Sequence, residues 1–210
     1  QMAVINILPQ YKPFFVNPKR YNVSYGGRGK GSTWNIARGI LTKSCEAKHT
    51  ILCAREFQNS INDSVYTVLV SQIERLGLQA NFEIQKASIT SLTGSNFIFK
   101  GLSRNIDSVK SAEGITIVWV AEADKVPQES WDKLIPTIRE DNSVIYIDFN
   151  TDSEDDPVYK DFVLTEREDA QVLFQNYLNN PYFPEVLKKE MEFDRENNPD
   201  KYSWVWQGNT

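Results

Sequence analysis

Apolar positions along this chain switch between a period of two and a period near 3.6, and that switching predicts a layered α/β domain. Tyr21, Val23 and Tyr25 alternate as in a strand, then Trp34, Ile36, Ala37, Ile40 and Leu41 draw one helical face. Residues 50–54 (Thr-Ile-Leu-Cys-Ala) read as a short buried strand. Val65, Val68, Leu69, Gln72, Ile73 and Leu76 return to helical spacing and stop at Gly77. Residues 89–92 and 96–99 flank Thr93-Gly94-Ser95 and predict a hairpin. Residues 115–120 (Ile-Thr-Ile-Val-Trp-Val) form an unbroken β-rich run, the pattern of a central parallel strand buried on both faces. A helix over 127–139 with Trp131, Leu134, Ile135 and Ile138 inward, a strand over 143–149 and a last strand over 170–174 complete the alternation.

After Tyr177 the texture changes to proline-punctuated helices, with Asn198-Pro199 as an N-cap followed by proline at the first helical position. The expected organisation is a domain over 1–176, with a largely parallel central sheet and helices on both faces, and a small helical unit over 177–210. Near the N-terminus, Pro9, Pro13 and Pro18 alternate with Tyr11, Phe14 and Phe15. That spacing predicts an extended segment whose aromatic faces cover a base or plug the edge of the core.

Composition narrows the class. The 210 residues are 40% hydrophobic and 24% charged, enough for one sizeable core. No stretch approaches the roughly 18 apolar residues of a spanning helix, so no membrane is expected, and the N-terminus lacks the order of a signal peptide. The location expected is therefore cytoplasmic. Two cysteines and one histidine exclude a disulfide framework and a zinc cluster. The net charge of −5 is uneven: residues 1–45 contain no acid and carry +7, leaving −12 for the rest. A positive N-terminal part suits a polyanionic ligand.

That positive part contains the densest chemistry. Between the strand at 21–25 and the helix at 34–41 runs Gly26-Gly27-Arg28-Gly29-Lys30-Gly31-Ser32-Thr33. Glycines let backbone N–H groups converge on an anion, and a helix start adds unpaired N–H groups and a positive dipole end. Against the phosphate-loop (Walker A) pattern G-x-x-x-x-G-K-[ST], Gly26, Gly31 and Thr33 match, while Ser32 stands where lysine is usual. Lys30, two residues early, is expected to fold back over the β- and γ-phosphates beside Arg28. An ordinary glycine-rich turn is the plain alternative.

The strand at 115–120 ends in Ala121-Glu122-Ala123-Asp124, and the strand at 143–149 ends at Asn150. Ligands of parallel sheets bind at the carboxyl ends of strands, which groups these ends with the glycine loop. In this grouping Thr33 gives its hydroxyl to Mg²⁺, Glu122 orients or deprotonates an attacking water, and Asn150 senses the γ-phosphate. The expected base site lies between Phe14, Phe15 or Arg20 and the start of the helix at Trp34. Plain strand-capping is the alternative for Glu122 and Asn150. A small-molecule kinase or a non-catalytic nucleotide-binding regulator are the competing functions.

The ordered set Gly26–Thr33, the Arg55 and Ser64 region, residues 99–102, 109–111 and 118–123, Asn150, residues 177–184 and residues 202–208 resembles the large terminase subunit of tailed bacteriophages. The resemblance covers nearly the whole chain. It implies a RecA-like P-loop NTPase of the ASCE class: an ATPase, using ATP and Mg²⁺, that pumps double-stranded DNA into a procapsid. It further implies a portal protein and a small terminase subunit as partners, a homo-oligomeric ring, and host cytoplasm with transient docking on the procapsid. Asn150 matches the family's coupling position and Arg28 an arginine assisting hydrolysis; Arg104 and Arg139 are candidates for action between subunits. The family's nuclease domain is expected beyond Gly208, outside this chain. Two positions depart from the family. Ser32 replaces the usual lysine, and Ala121 replaces the first of two consecutive acids (Walker B), the one serving Mg²⁺. The second departure implies an inactivated variant, the pattern of an engineered replacement, that binds ATP and hydrolyses it poorly.

Overall fold

The computed structural model describes residues 6–57, 62–103, 109 and 114–210. Among them, eight strands form one sheet: β1 (Tyr21–Gly26), β2 (Thr50–Arg55), β3 (Phe82–Gln85), β4 (Ser88–Ser91), β5 (Asn96–Gly101), β6 (Ile115–Ala121), β7 (Val144–Asp148) and β8 (Ala170–Gln175). Their order is β3-β4-β5-β2-β6-β7-β1-β8. Every pairing from β5 to β8 is parallel, and only β3-β4 and β4-β5 are antiparallel. The antiparallel hairpin predicted around Thr93-Gly94-Ser95 is thus the edge of a parallel sheet. In the middle, β7 is inserted between β1 and β6, which brings three strand ends side by side.

Parity along the strands separates two apolar layers. Ile51, Cys53, Trp119 and Tyr146 pack on one face with Ile36 and Ile40 of α2 (Ser32–Glu46) and Leu69 and Ile73 of α3 (Thr67–Arg75). Leu52, Ala54, Val118, Val120, Ile145 and Ile147 face the other way, against Trp131 and Leu134 of α4 (Gln128–Leu134) and Val158 and Phe162. Neighbouring residues of one strand point to opposite faces, so strands buried on both sides read as unbroken apolar runs. α4 is shorter than its apolar spacing predicts. A single 3₁₀ turn, Ile135–Thr137, replaces its last part because Pro136 cannot donate to the helical ladder.

The N-terminal prolines also act differently from expectation. Pro9 and Pro13 start a 3₁₀ turn, Pro9–Tyr11, and a short helix, α1 (Pro13–Val16), rather than an extended arm. Proline suits the first helical turn, where its missing N–H would have no partner anyway. Residues after 176 gather around Tyr177, Met191 and Trp206, a third apolar cluster built partly on α5 (Glu185–Asn197). Among the described residues no helix is long and apolar enough to cross a membrane.

Candidate functional site

Strand β1 ends at Gly26 and α2 begins at Ser32, so residues 27–31 form the turn that the glycine pattern predicts. Gly31 stands just before the helix at φ 78°, a left-handed conformation that strains any residue with a Cβ. The first N–H groups of α2 therefore open toward the strand ends without intrahelical partners. Gly27 meets a different constraint: a Cβ there would lie 2.0 Å from the Trp206 carbonyl oxygen. The C-terminal unit is seated directly on the loop. The Arg28 backbone N–H donates to Val205 O at 2.8 Å, and Asn180 Nδ2 donates to Gly29 O at 2.7 Å.

Lys30 turns inward. Its Nζ is buried and donates to Asn150 Oδ1 at 2.6 Å, joining the loop to the end of β7. Burial lowers the ammonium pKa to about 8, while the nearby Asp148 and Asp124 carboxylates oppose that fall. A buried ammonium facing an anion cradle is stabilised by a negatively charged ligand.

Asp148 is the residue that reading the sequence missed. It ends β7, is buried, and accepts hydrogen bonds from Ser32 Oγ at 3.2 Å, Thr33 Oγ1 at 3.1 Å and Trp119 Nε1 at 2.8 Å. Burial pushes its carboxyl pKa up, and Lys30 and the three donors pull it back. One signal was available: an acid inside the apolar run Val-Ile-Tyr-Ile-Asp-Phe of residues 144–149 must find partners, because an unpaired buried charge is costly.

The end of β6 is organised otherwise. Ala121 is buried on the α2 face. Glu122 follows at φ 51°, an uncommon conformation for a residue other than glycine, with its side chain 57% exposed and ion-paired to Arg55. Arg55, at the end of β2, also donates to Ser64 Oγ. Neither arginine contact is visible in local sequence pattern.

A cavity of about 1030 Å³ opens in front of the loop, lined by residues 28–33 and Asn150 and walled by Leu8, Trp34, Arg38, Arg75, Tyr182 and Trp206. Arg75 and Arg38 lie 4.8 and 5.8 Å from the half-exposed Trp34 ring. Leu8 N donates to Asn35 Oδ1 at 2.8 Å, which brings the N-terminal segment to the cavity wall. Phe14, Phe15 and Arg20 do not line it, correcting the base site expected from sequence. Phe14 and Phe15 are buried, Phe15 stacking on Tyr146 at 4.8 Å. Arg20 precedes β1 and donates to Ile138 O at 2.8 Å, roughly 20 Å of strand away from the loop. Arg139 is exposed, while Arg104, Lys110 and Ser111 lie outside the described residues.

The donor set suits a hard cation that keeps most of its ligands as water and phosphate oxygen. Thr33 offers a hydroxyl and Asp148 a carboxylate, both oxygen. Among the described residues no three His, Cys, Asp or Glu side chains form an all-protein cage, which Mg²⁺ bound to a triphosphate does not need.

The family model described as the phage terminase large subunit matches residues 18–209. The PBSX phage terminase large subunit of Bacillus subtilis (strain 168) is 26% identical over 235 residues, covering 99% of this chain and 53% of that protein. The large terminase of a thermophilic bacteriophage superposes with a TM-score of 0.80 at 11% identity, over 97% of this chain and 53% of that one. The large terminase ATPase domain of Thermus phage P74-26 gives 0.71 at 14% identity, over 92% and 90%. The two structural likenesses establish a shared fold. The chain spans about half the length of the curated relative it matches.

Proposed function

The chain belongs to the phage terminase large subunit family, and from that premise we propose that it is the ATP-hydrolysing part, whose turnover drives double-stranded DNA into a procapsid. The observation that carries this reading is a single hydrogen-bonded network in which the glycine loop, through Lys30, Ser32 and Thr33, meets the end of β7 at Asp148 and Asn150. The large terminase of the thermophilic bacteriophage has been crystallised in complex with ADP and with ATP-γ-S, which supports a nucleotide as the ligand of the equivalent fold.

The triphosphate lies with its β- and γ-phosphates over residues 29–32, where helix-start N–H groups converge, and its base rests toward Trp34 between Arg38 and Arg75. Lys30 exchanges its Asn150 contact for phosphate oxygen, and the polyanion holds its proton. Thr33 and a neighbouring carboxylate would hold Mg²⁺, which would supply positive charge beside the phosphate oxygens. Glu122 accepts the proton of the attacking water after leaving Arg55. Glu122 is the exposed partner and Arg55 the largely buried one, so water takes the place of the arginine at the carboxylate as the pair parts. Asn150 gains or loses its lysine partner as the γ-phosphate leaves or arrives, and the β7 end thereby reports hydrolysis. Arg28, exposed on the loop, adds positive charge at the same phosphates.

Residues 177–210 act as a lid and linker, since Asn180 and Val205 bind the loop backbone directly. In the assembled motor the chain works within a homo-oligomeric ring with the portal protein and small terminase subunit, in host cytoplasm and docked on the procapsid. Phosphate release by the chain, with and without double-stranded DNA, tests the reading. ATP turnover lost in Lys30→Ala supports it; no turnover and no ATP binding by the natural chain refutes it.

A further inference from the structure

We infer that Asp148 on β7 supplies the metal-side carboxylate of this site, the role that the family's two-acid pattern assigns to position 121 on β6. The inference rests on the nucleotide reading above. Ala121 and Asp148 are register partners in the parallel pair β6-β7. They also share a face. Ala121 packs in the α2-side layer together with Tyr146, two residues before Asp148, and residues two apart in a strand point the same way. Neighbouring strands run about 4.8 Å apart, so a carboxylate moved sideways by one strand still reaches the start of α2.

The contacts of Asp148 are those the role demands. Its Oδ2 accepts from the Ser32 and Thr33 hydroxyls at 3.2 and 3.1 Å, the two side chains that close the phosphate loop. Its Oδ1 is pinned by Trp119 Nε1 at 2.8 Å. Trp119 sits two residues before Ala121 on β6, so the strand that lacks an acid supplies the indole that orients the acid of its neighbour. Alanine at 121 keeps the space beside Asp148 free of a second negative charge. Two unpaired carboxylates side by side in a buried position would repel, since like charges cannot both ionise cheaply there. On this account the chain is a complete site with one acid relocated, and the impaired turnover implied by Ala121 does not follow.

The experiment measures how far Mg²⁺ tightens binding of a slowly hydrolysed ATP analogue, by calorimetry in Mg²⁺ and in EDTA, with Mn²⁺ electron paramagnetic resonance on the ternary complex. Asp148→Asn should lose about 10–100-fold of the Mg²⁺-linked affinity and change the Mn²⁺ spectrum, while binding in EDTA stays within about twofold. Adding Ala121→Asp to Asp148→Asn should restore most of the loss by returning the acid to β6. Ala121→Asp alone, which does not depend on Asp148→Asn folding, should bring no gain. A tenfold or greater gain in that single variant overturns the inference, as does a folded Asp148→Asn with Mg²⁺-linked binding intact. Absence of analogue binding by the natural chain in both conditions refutes the nucleotide reading itself, and the inference with it.

Discussion

Strands β6 and β7 lie side by side and end at the same level, yet their tips are built for opposite behaviour. The β7 tip is sealed: Asp148 is buried with three donors, and Lys30 bridges to Asn150. At the β6 tip Glu122 is 57% exposed, turns at φ 51° and is paired with Arg55. A buried carboxylate held by three donors costs too much to rearrange and sets fixed positions, and only Lys30 beside it is free to trade Asn150 for phosphate. An exposed carboxylate on a strained residue, held by one ion pair, changes partners more readily. The sealed tip therefore suits holding phosphate, hydroxyls and cation in register, and the open tip suits a proton acceptor that moves.

The sharpest way to break this division is Glu122→Gln. It should lower phosphate release by about 10²–10⁴-fold, the range for a lost general base, with ATP-analogue affinity within about twofold. A collapse of affinity as well would mean that both tips hold the nucleotide. Next in size is Lys30→Ala, which removes charge-assisted hydrogen bonds worth about 1.5–3 kcal/mol, hence about 10–160-fold in ATP affinity by calorimetry. The same lysine sets a pH dependence. Its pKa is lowered to about 8 in the free protein, so affinity should decline as pH rises through 8 and the ammonium loses its proton. Above that pH, binding should take up protons because the polyanion favours the charged form, and runs in buffers of different ionisation enthalpy measure the uptake. Lys30→Met should abolish it.

Smaller effects are expected away from both tips. Trp34→Ala removes the flat wall between Arg38 and Arg75, and a lost stacking contact of about 0.5–1.5 kcal/mol weakens ATP binding about 2–12-fold. Fluorescence titration with a labelled nucleotide checks this, and unchanged affinity would move the base elsewhere. The smallest is Arg55→Gln. Its largely buried guanidinium meets an exposed carboxylate, so the coupling between the two, read from melting of Arg55→Gln, Glu122→Gln and the double variant, should be about 1 kcal/mol. A larger coupling would show that Arg55 anchors the β6 tip, and the contrast between the two strands would narrow.

The residues that belong to one local pattern were legible in the sequence. Period-two and period-3.6 spacing marked β1, β2, β6, β7, β8 and α2, and the glycine run at 26–31 announced the anion loop between β1 and α2. These follow from backbone geometry that a dozen neighbouring residues determine by themselves. What depends on strand order could not be read in this way. Asp148 looked like one more strand residue until β7 was seen inserted between β1 and β6, which sets its carboxylate against the hydroxyls of Ser32 and Thr33 more than a hundred positions away. Phe14 and Phe15 had the aromatic faces of a base platform, but folding spends those faces on Tyr146 and the core. Asn180 and Val205 reach the loop only because the last apolar cluster docks there. Local spacing determines elements; long-range pairing and burial decide which side chains become neighbours, and the site is made of neighbours.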